Sequence, residues 1–124
     1  MVNGLFFKNS TIYGKIRIEN ENNSITLDAL VDTGAFKTLI PEIICKNLNL
    51  IHIETKKVWG ICPTPVKVNI YLAKVYFLEN LMINSVIGFD LLPEKQVSLI
   101  GRDILSHFDI IIENSKKDCK ITKI

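Results

Sequence analysis

The chain has 124 residues, enough for one domain and too few for a second of ordinary size. Hydrophobic residues make up 48% and charged residues 23%, which fits a packed domain and excludes a disordered chain. A formal net charge of +2 is too small to make nucleic acid or an anionic membrane the expected partner.

In chain order, the opening MVNGLFFKNS has no basic stretch leading into a long apolar run, so no signal peptide is expected. Ile12 to Ile18 alternates apolar with polar, the period of a half-buried strand. Glu19 to Ser24, rich in Asn and charge, reads as a hairpin turn. Ile25 to Val31 begins as an alternating strand and ends in an apolar run, as if entering a buried sheet, and stops at Asp32-Thr33-Gly34-Ala35. Pro41 at a first helical position and Glu42 in the first turn predict a short helix, with Asn47 or Asn49 closing it. A strand pair follows, with Trp59-Gly60-Ile61 near its tip. Val66 to Leu72 alternates again, and Ala73 to Leu78 and Leu81 to Ile87 continue the β pattern. Val97 to Gly101 is a short buried strand, and Arg102 to Phe108 a second short helix. Asp109 to Glu113 and Cys119 to Ile124 are closing strands around a turn at Ser115 to Asp118.

No run approaches the roughly 18 apolar residues that span a bilayer. The longest candidate, Leu78 to Leu92, is interrupted by Glu79, Asn80, Asn84, Ser85 and Asp90, so no membrane partner is expected. Cys45, Cys62 and Cys119 are odd in number and lack CxxC spacing, which fits reduced thiols and a cytoplasmic address. His52 and His107 lie far apart and outside any HExxH pattern, so neither a metal nor another cofactor is expected. The pairs Lys56-Lys57 and Lys116-Lys117 read as solvated turn residues.

Asp32-Thr33-Gly34 at the end of an apolar strand is the string that carries chemistry. A carboxylate held at a loop tip can face a twin, and two carboxylates about 3 Å apart cannot both ionise. One then acts as base on a water while the other donates a proton. Glycine lets backbone and partner approach closely, and a threonine hydroxyl can hydrogen-bond across the pair of loops. The tripeptide alone is weak: at average composition it occurs by chance in roughly one or two per hundred chains of this length. Its bland reading is an ordinary turn at a strand end.

Context decides between the two. Ala29-Leu30-Val31-Asp32-Thr33-Gly34-Ala35 resembles the active-site strand and loop of retropepsin-like aspartic proteases. That family carries a late second element of apolar residues, a glycine, often Arg-Asp or Arg-Asn, and a short helix. Leu99-Ile100-Gly101-Arg102-Asp103-Ile104-Leu105 matches it, about 70 residues after Asp32. Between the two the family places a glycine-bearing flap, and Trp59-Gly60-Ile61 lies 27 residues past Asp32. The resemblance covers most of the chain. It implies one mainly β domain over residues 1–124, a closed β-barrel with one or two short helices, and endopeptidase activity on extended peptides.

Roles follow from the resemblance residue by residue. Asp32 is the expected catalytic acid and base, Thr33 braces the dyad, and Gly34 offers its carbonyl to the substrate. Ala35, Phe36, Trp59, Gly60 and Ile61 are the expected substrate-binding residues. Gly101 packs under the active-site loop, and Arg102 anchors the helix start by pairing with an acid. Phe36-Lys37 departs from the acidic residues that viral members carry there. The longer helix after Pro41 places the chain nearer cellular and microbial relatives than viral ones.

The mechanism needs two aspartates, yet Asp28, Asp90, Asp103, Asp109 and Asp118 lack the following Thr-Gly or Ser-Gly. A homodimer with two-fold symmetry, placing Asp32 opposite its own copy, is the economical solution. The segments Asp109 to Glu113 and Cys119 to Ile124 are candidate interface strands. Two other classes remain open: a peptide-binding module on the same fold that does not cut, and an unrelated small barrel with an accidental D-T-G.

Overall fold

Three antiparallel strands begin the sheet: β1 (Leu5–Lys8), β2 (Thr11–Asn20) and β3 (Asn23–Val31). The alternation in β2 buries Ile16 and Ile18 and exposes Lys15 and Arg17 between them. β2 and β3 run further than their apolar residues do. Glu19 pairs with Ser24 and Asn20 with Asn23, so the turn is only Glu21-Asn22, with Glu21 at φ 52. Polar side chains pointing to solvent do not end a ladder whose backbone groups remain paired, which is why the expected turn was too wide.

The remaining elements are β4 (Leu39–Ile40), α1 (Glu42–Asn47), β5 (Ile51–Val58), β6 (Val66–Phe77) and β7 (Asn80–Gly88), then β8 (Leu99–Ile100), α2 (Arg102–Leu105), β9 (Phe108–Glu113) and β10 (Asp118–Lys123). The computed structural model describes residues 4–90 and 96–124. Eight strands form one sheet in the order β1-β2-β3-β8-β4-β7-β6-β5, and a further β2–β6 pairing joins its two sides. The result is the closed, mainly β barrel with two short helices that the motifs imply. β9 and β10 form a separate two-stranded sheet. No helix among the described residues is long and apolar enough to cross a membrane. Of the stretch Leu78 to Leu92, most is strand β7, and Leu91 and Leu92 lie outside the described residues.

Two apolar clusters fill the fold. The larger includes Ile16, Ile18, Val75, Phe77, Val86, Ile100 and Ile104. A satellite of Leu39, Val68, Ile70 and Ile87, with Val58, Ile61 and Leu99 against it, lies beneath the tip half of the β5–β6 hairpin. β5 is an exposed edge strand that among the described residues pairs only with β6, and beyond Asn69, where β6 leaves β7, the end of this hairpin extends past the sheet as an arm.

The helices are shorter than the sequence suggests. Pro41 precedes α1 at φ −57 and ψ 137 rather than forming its first residue. The C-terminus closes at Asn49, which sits at φ 53. There Asn49 N–H donates to Lys46 O at 3.0 Å and Leu50 N–H to Cys45 O at 3.1 Å, a Schellman arrangement. α2 is a single turn ending at Leu105. Phe108 belongs to β9 instead, where its ring meets Phe77 edge-on at 5.2 Å in the core.

Glu42 ties α1 to β6: its Oε1 accepts from Asn69 Nδ2 at 2.7 Å and from the Tyr71 hydroxyl at 3.0 Å. Burial, and then the nearby Glu42 carboxylate, push the Cys45 thiol from 9.0 up to about 12. Burial and the bond to Glu42 push Tyr71 from 10.0 up to about 12. Both groups stay protonated in the folded chain where the unfolded chain ionises, so their contribution is complete below about pH 9 and is lost as pH rises towards 12. The urea midpoint should therefore fall between pH 9 and 11, and Tyr71→Phe should flatten that fall.

Leu78 and Glu79 turn the β6–β7 hairpin at φ 50 and φ 65, positions that suit glycine. Leu78 packs on the core, whereas Glu79 is exposed. Glu79→Gly should raise stability by up to about 1 kcal/mol in urea denaturation, the relieved strain exceeding the added chain entropy.

Candidate active site

Asp32 is placed by a strand that leaves its sheet. β3 pairs in parallel with β8, Leu30 opposite Leu99 and Val31 opposite Ile100. Leu30 N–H donates to Ser98 O at 2.8 Å and Asp32 N–H to Ile100 O at 3.0 Å. Beyond that point the chain folds back on the aspartate. Gly34 N–H donates to Asp32 Oδ1 at 3.0 Å, and Ala35 N–H to the Asp32 carbonyl at 3.1 Å. The Asp32 carboxylate is half-buried, while Thr33 and Gly34 are exposed at the tip. Among the described residues no cation pairs with it.

Below the loop lies a knot of hydrogen bonds. Thr38, fully buried, donates its backbone N–H to both oxygens of Asp103 at 3.0 Å and its hydroxyl to Oδ1 at 2.8 Å. The same hydroxyl accepts from Gly101 N–H at 3.1 Å. Asn84 Nδ2 from β7 donates to Asp103 Oδ2 at 2.8 Å. A Cβ on Gly101 would lie 2.5 Å from the Lys37 carbonyl carbon and 2.9 Å from Thr38 N. Those are backbone atoms that cannot yield cheaply, so this crossing requires glycine. Arg102 N–H donates to Ala35 O at 2.8 Å, which fastens α2 to the loop. Its guanidinium finds no carboxylate among the described residues and lies instead over the Phe36 ring, 5.8 Å from the centroid.

A cleft of about 1100 Å³ opens between the loop and the arm. Asp32, Gly34, Ala35 and Phe36 line one side, and Trp59, Gly60 and Ile61 the other. Leu30, Leu39, Ile87 and Leu99 give it apolar walls, shared in part with the satellite cluster. Gly60 sits at φ +90 with nothing within 4 Å of a built Cβ. The backbone angle, not crowding, is what calls for glycine there. Trp59 and Phe36 are 77% and 72% exposed, unusual for side chains that large unless something covers them.

The family model for retroviral aspartyl proteases matches residues 10–113, spanning the aspartate loop, the arm and the Gly101-Arg102 element. The chain belongs to that family. No curated protein matches it. Membership assigns the fold and the general chemistry, that of an aspartic peptidase.

In this aspartyl protease chain, seven of the ten residues singled out from sequence line one cleft, while Thr33, Gly101 and Arg102 sit at its rim or beneath it. Thr38, Asn84 and the carboxylate role of Asp103 were missed. Thr38 stands beside the apolar Leu39-Ile40, where a buried hydroxyl needs partners, and that was a usable signal. Asn84 gave none, since only the folded β7 brings it to Asp103. Among the described residues no group of three or more His, Cys, Asp or Glu is arranged to hold a metal. His52 Nε2 instead lies 3.0 Å from Thr55 Oγ1 on the outside of the arm.

Removing Asp103 strands the Thr38 N–H and hydroxyl and the Asn84 amide. Asp103→Ala should cost about 2–4 kcal/mol in urea denaturation, and Thr38→Val about 1–3 kcal/mol. A loss below half a kcal/mol in either would mean that the knot does not hold the loop.

Proposed function

We propose that this chain is an endopeptidase that works as a homodimer, with the Asp32 carboxylates of two copies facing each other. The observation that carries the reading is Asp32 itself: a half-buried carboxylate at the floor of an apolar cleft, held by its own loop and unpaired with any cation among the described residues. One Asp32 accepts a proton from a water, and its twin, protonated, donates to the carbonyl of the scissile bond. Gly34 N–H holds one carboxylate oxygen in place for this. Thr33, exposed beside Asp32, is available to brace the partner loop. The arm bearing Trp59, Gly60 and Ile61 closes over an extended peptide, with Gly60 as its pivot.

In this reading the second copy sits on the β9–β10 sheet. Among the described residues β9 pairs with β10 along one edge only, and Ile111 and Ile112 are 59% and 44% exposed. An open strand edge with apolar side chains favours pairing with a second chain. The competing reading is a module that binds peptides without cutting them. It draws on Phe36 and Lys37 standing where acids would grip the substrate backbone.

The test is cleavage of a complex peptide mixture between about pH 4 and 7, wild type beside Asp32→Asn. Activity should be highest on the mildly acidic side, where one proton is shared, and should fall by about a thousandfold or more in the variant. The variant should keep its fold and dimer. Equal cutting by both proteins would exclude the aspartic mechanism. No cutting by a folded, dimeric wild type would favour the binding module.

A further inference from the structure

The cleft has an uneven charge. Lys37 and Lys56 bring cations to it, and Asp32 is the only carboxylate that lines it among the described residues. Arg102 adds a third cation at the rim, over Phe36. We propose that the cleft selects peptides whose acidic side chains flank an apolar segment. The peptidase reading supplies the reason for a peptide, but the charge preference can be tested without any cleavage.

The register of the arm places the lysines. Lys56 is directly opposite Val68, and Val58 opposite Val66. Opposed residues in an antiparallel pair share a face, and Val68 and Val58 belong to the satellite cluster, so Lys56 is on the face turned to the cleft. Its ion pair with Glu54 is 3.8 Å long between two half-exposed side chains, a weak contact that a ligand carboxylate can replace. Lys57, one residue on and opposite Lys67, turns its side chain to the other face of the arm, so Lys56 is the cation that the arm presents to the cleft. Lys37 is held differently, its ammonium donating to the Ser85 hydroxyl, and no carboxylate among the described residues pairs with it.

Between these cations the walls are Leu30, Leu39, Ile87 and Leu99. They reward apolar side chains by burial, at about 25 cal/mol per Å² removed from water. An apolar centre with acidic ends therefore matches the whole cleft, whereas basic ends meet repulsion on both sides.

The experiment uses the Asp32→Asn chain, so that bound peptide is not cut, and fluorescence anisotropy of three labelled peptides. All share one apolar centre and carry glutamates, glutamines or lysines at both ends. The glutamate peptide should bind about tenfold more tightly than the glutamine one, with the lysine peptide weakest. Raising salt should narrow the gap. Adding Lys37→Glu and Lys56→Glu together should reverse the order. Equal affinities, no binding of any peptide, or an order that survives the charge reversal would each overturn the proposal. Wild-type cleavage separates the two ideas. Cutting all three peptides equally keeps the peptidase and removes the preference, while selective binding with no cutting keeps the preference and removes the peptidase.

Discussion

The carboxylate of Asp103 fastens pieces of chain that are distant in sequence, and the position of Asp32 depends on it. It takes hydrogen bonds from Thr38 on the loop that follows Asp32 and from Asn84 on β7, while its own residue lies in the first turn of α2. The Thr38 hydroxyl passes the connection on to Gly101, where β8 gives way to the helix. Hydrogen bonds to a charged group are each worth about 1.5–3 kcal/mol, against a total stability of about 5–15 kcal/mol for a domain of this kind. The single bond from Gly34 to Asp32, made at an exposed tip, is weaker than this. The tip is therefore aimed from below, by groups that never touch a substrate.

The same economy appears in the arm. β5 has little of its own to bury, and what holds the outer half of the hairpin is the satellite cluster beneath it. Several members of that cluster, Leu39, Val58, Ile87 and Leu99 among them, also form the walls of the cleft. Ligand binding and hairpin docking thus draw on one apolar surface. A ligand that fills the cleft adds contacts to the arm, while an empty cleft leaves it with fewer.

Much of this was legible beforehand, for reasons that can be named. The period-two alternation in Ile12 to Ile18 and Val66 to Leu72 reported strands because one face of each is buried. Asp32-Thr33-Gly34 and Gly101-Arg102 were readable because each spells a backbone requirement, a turn that folds back on a carboxylate and a crossing without room for a Cβ. Strand ends and helix lengths were read less well. Asn20 and Asn23 pair through backbone groups that their side chains do not advertise, and Phe108 leaves the helical pattern because the core needs its ring against Phe77. The partner of Arg102 was out of reach, since no local pattern distinguishes a guanidinium that finds a carboxylate from one that settles on Phe36.

The short parallel pairing of β3 with β8 has a consequence for the order in which the molecule comes into being. Val31 meets Ile100 only after most of the intervening chain has been laid down, and closing so long a loop is entropically slow. The hairpins β2–β3 and β6–β7 join neighbouring residues and are able to form early. Asp32 therefore acquires its final seat among the last events of folding. A growing or partly folded chain carries the aspartate but not the platform that aims it, so its chemistry is withheld until the barrel is whole.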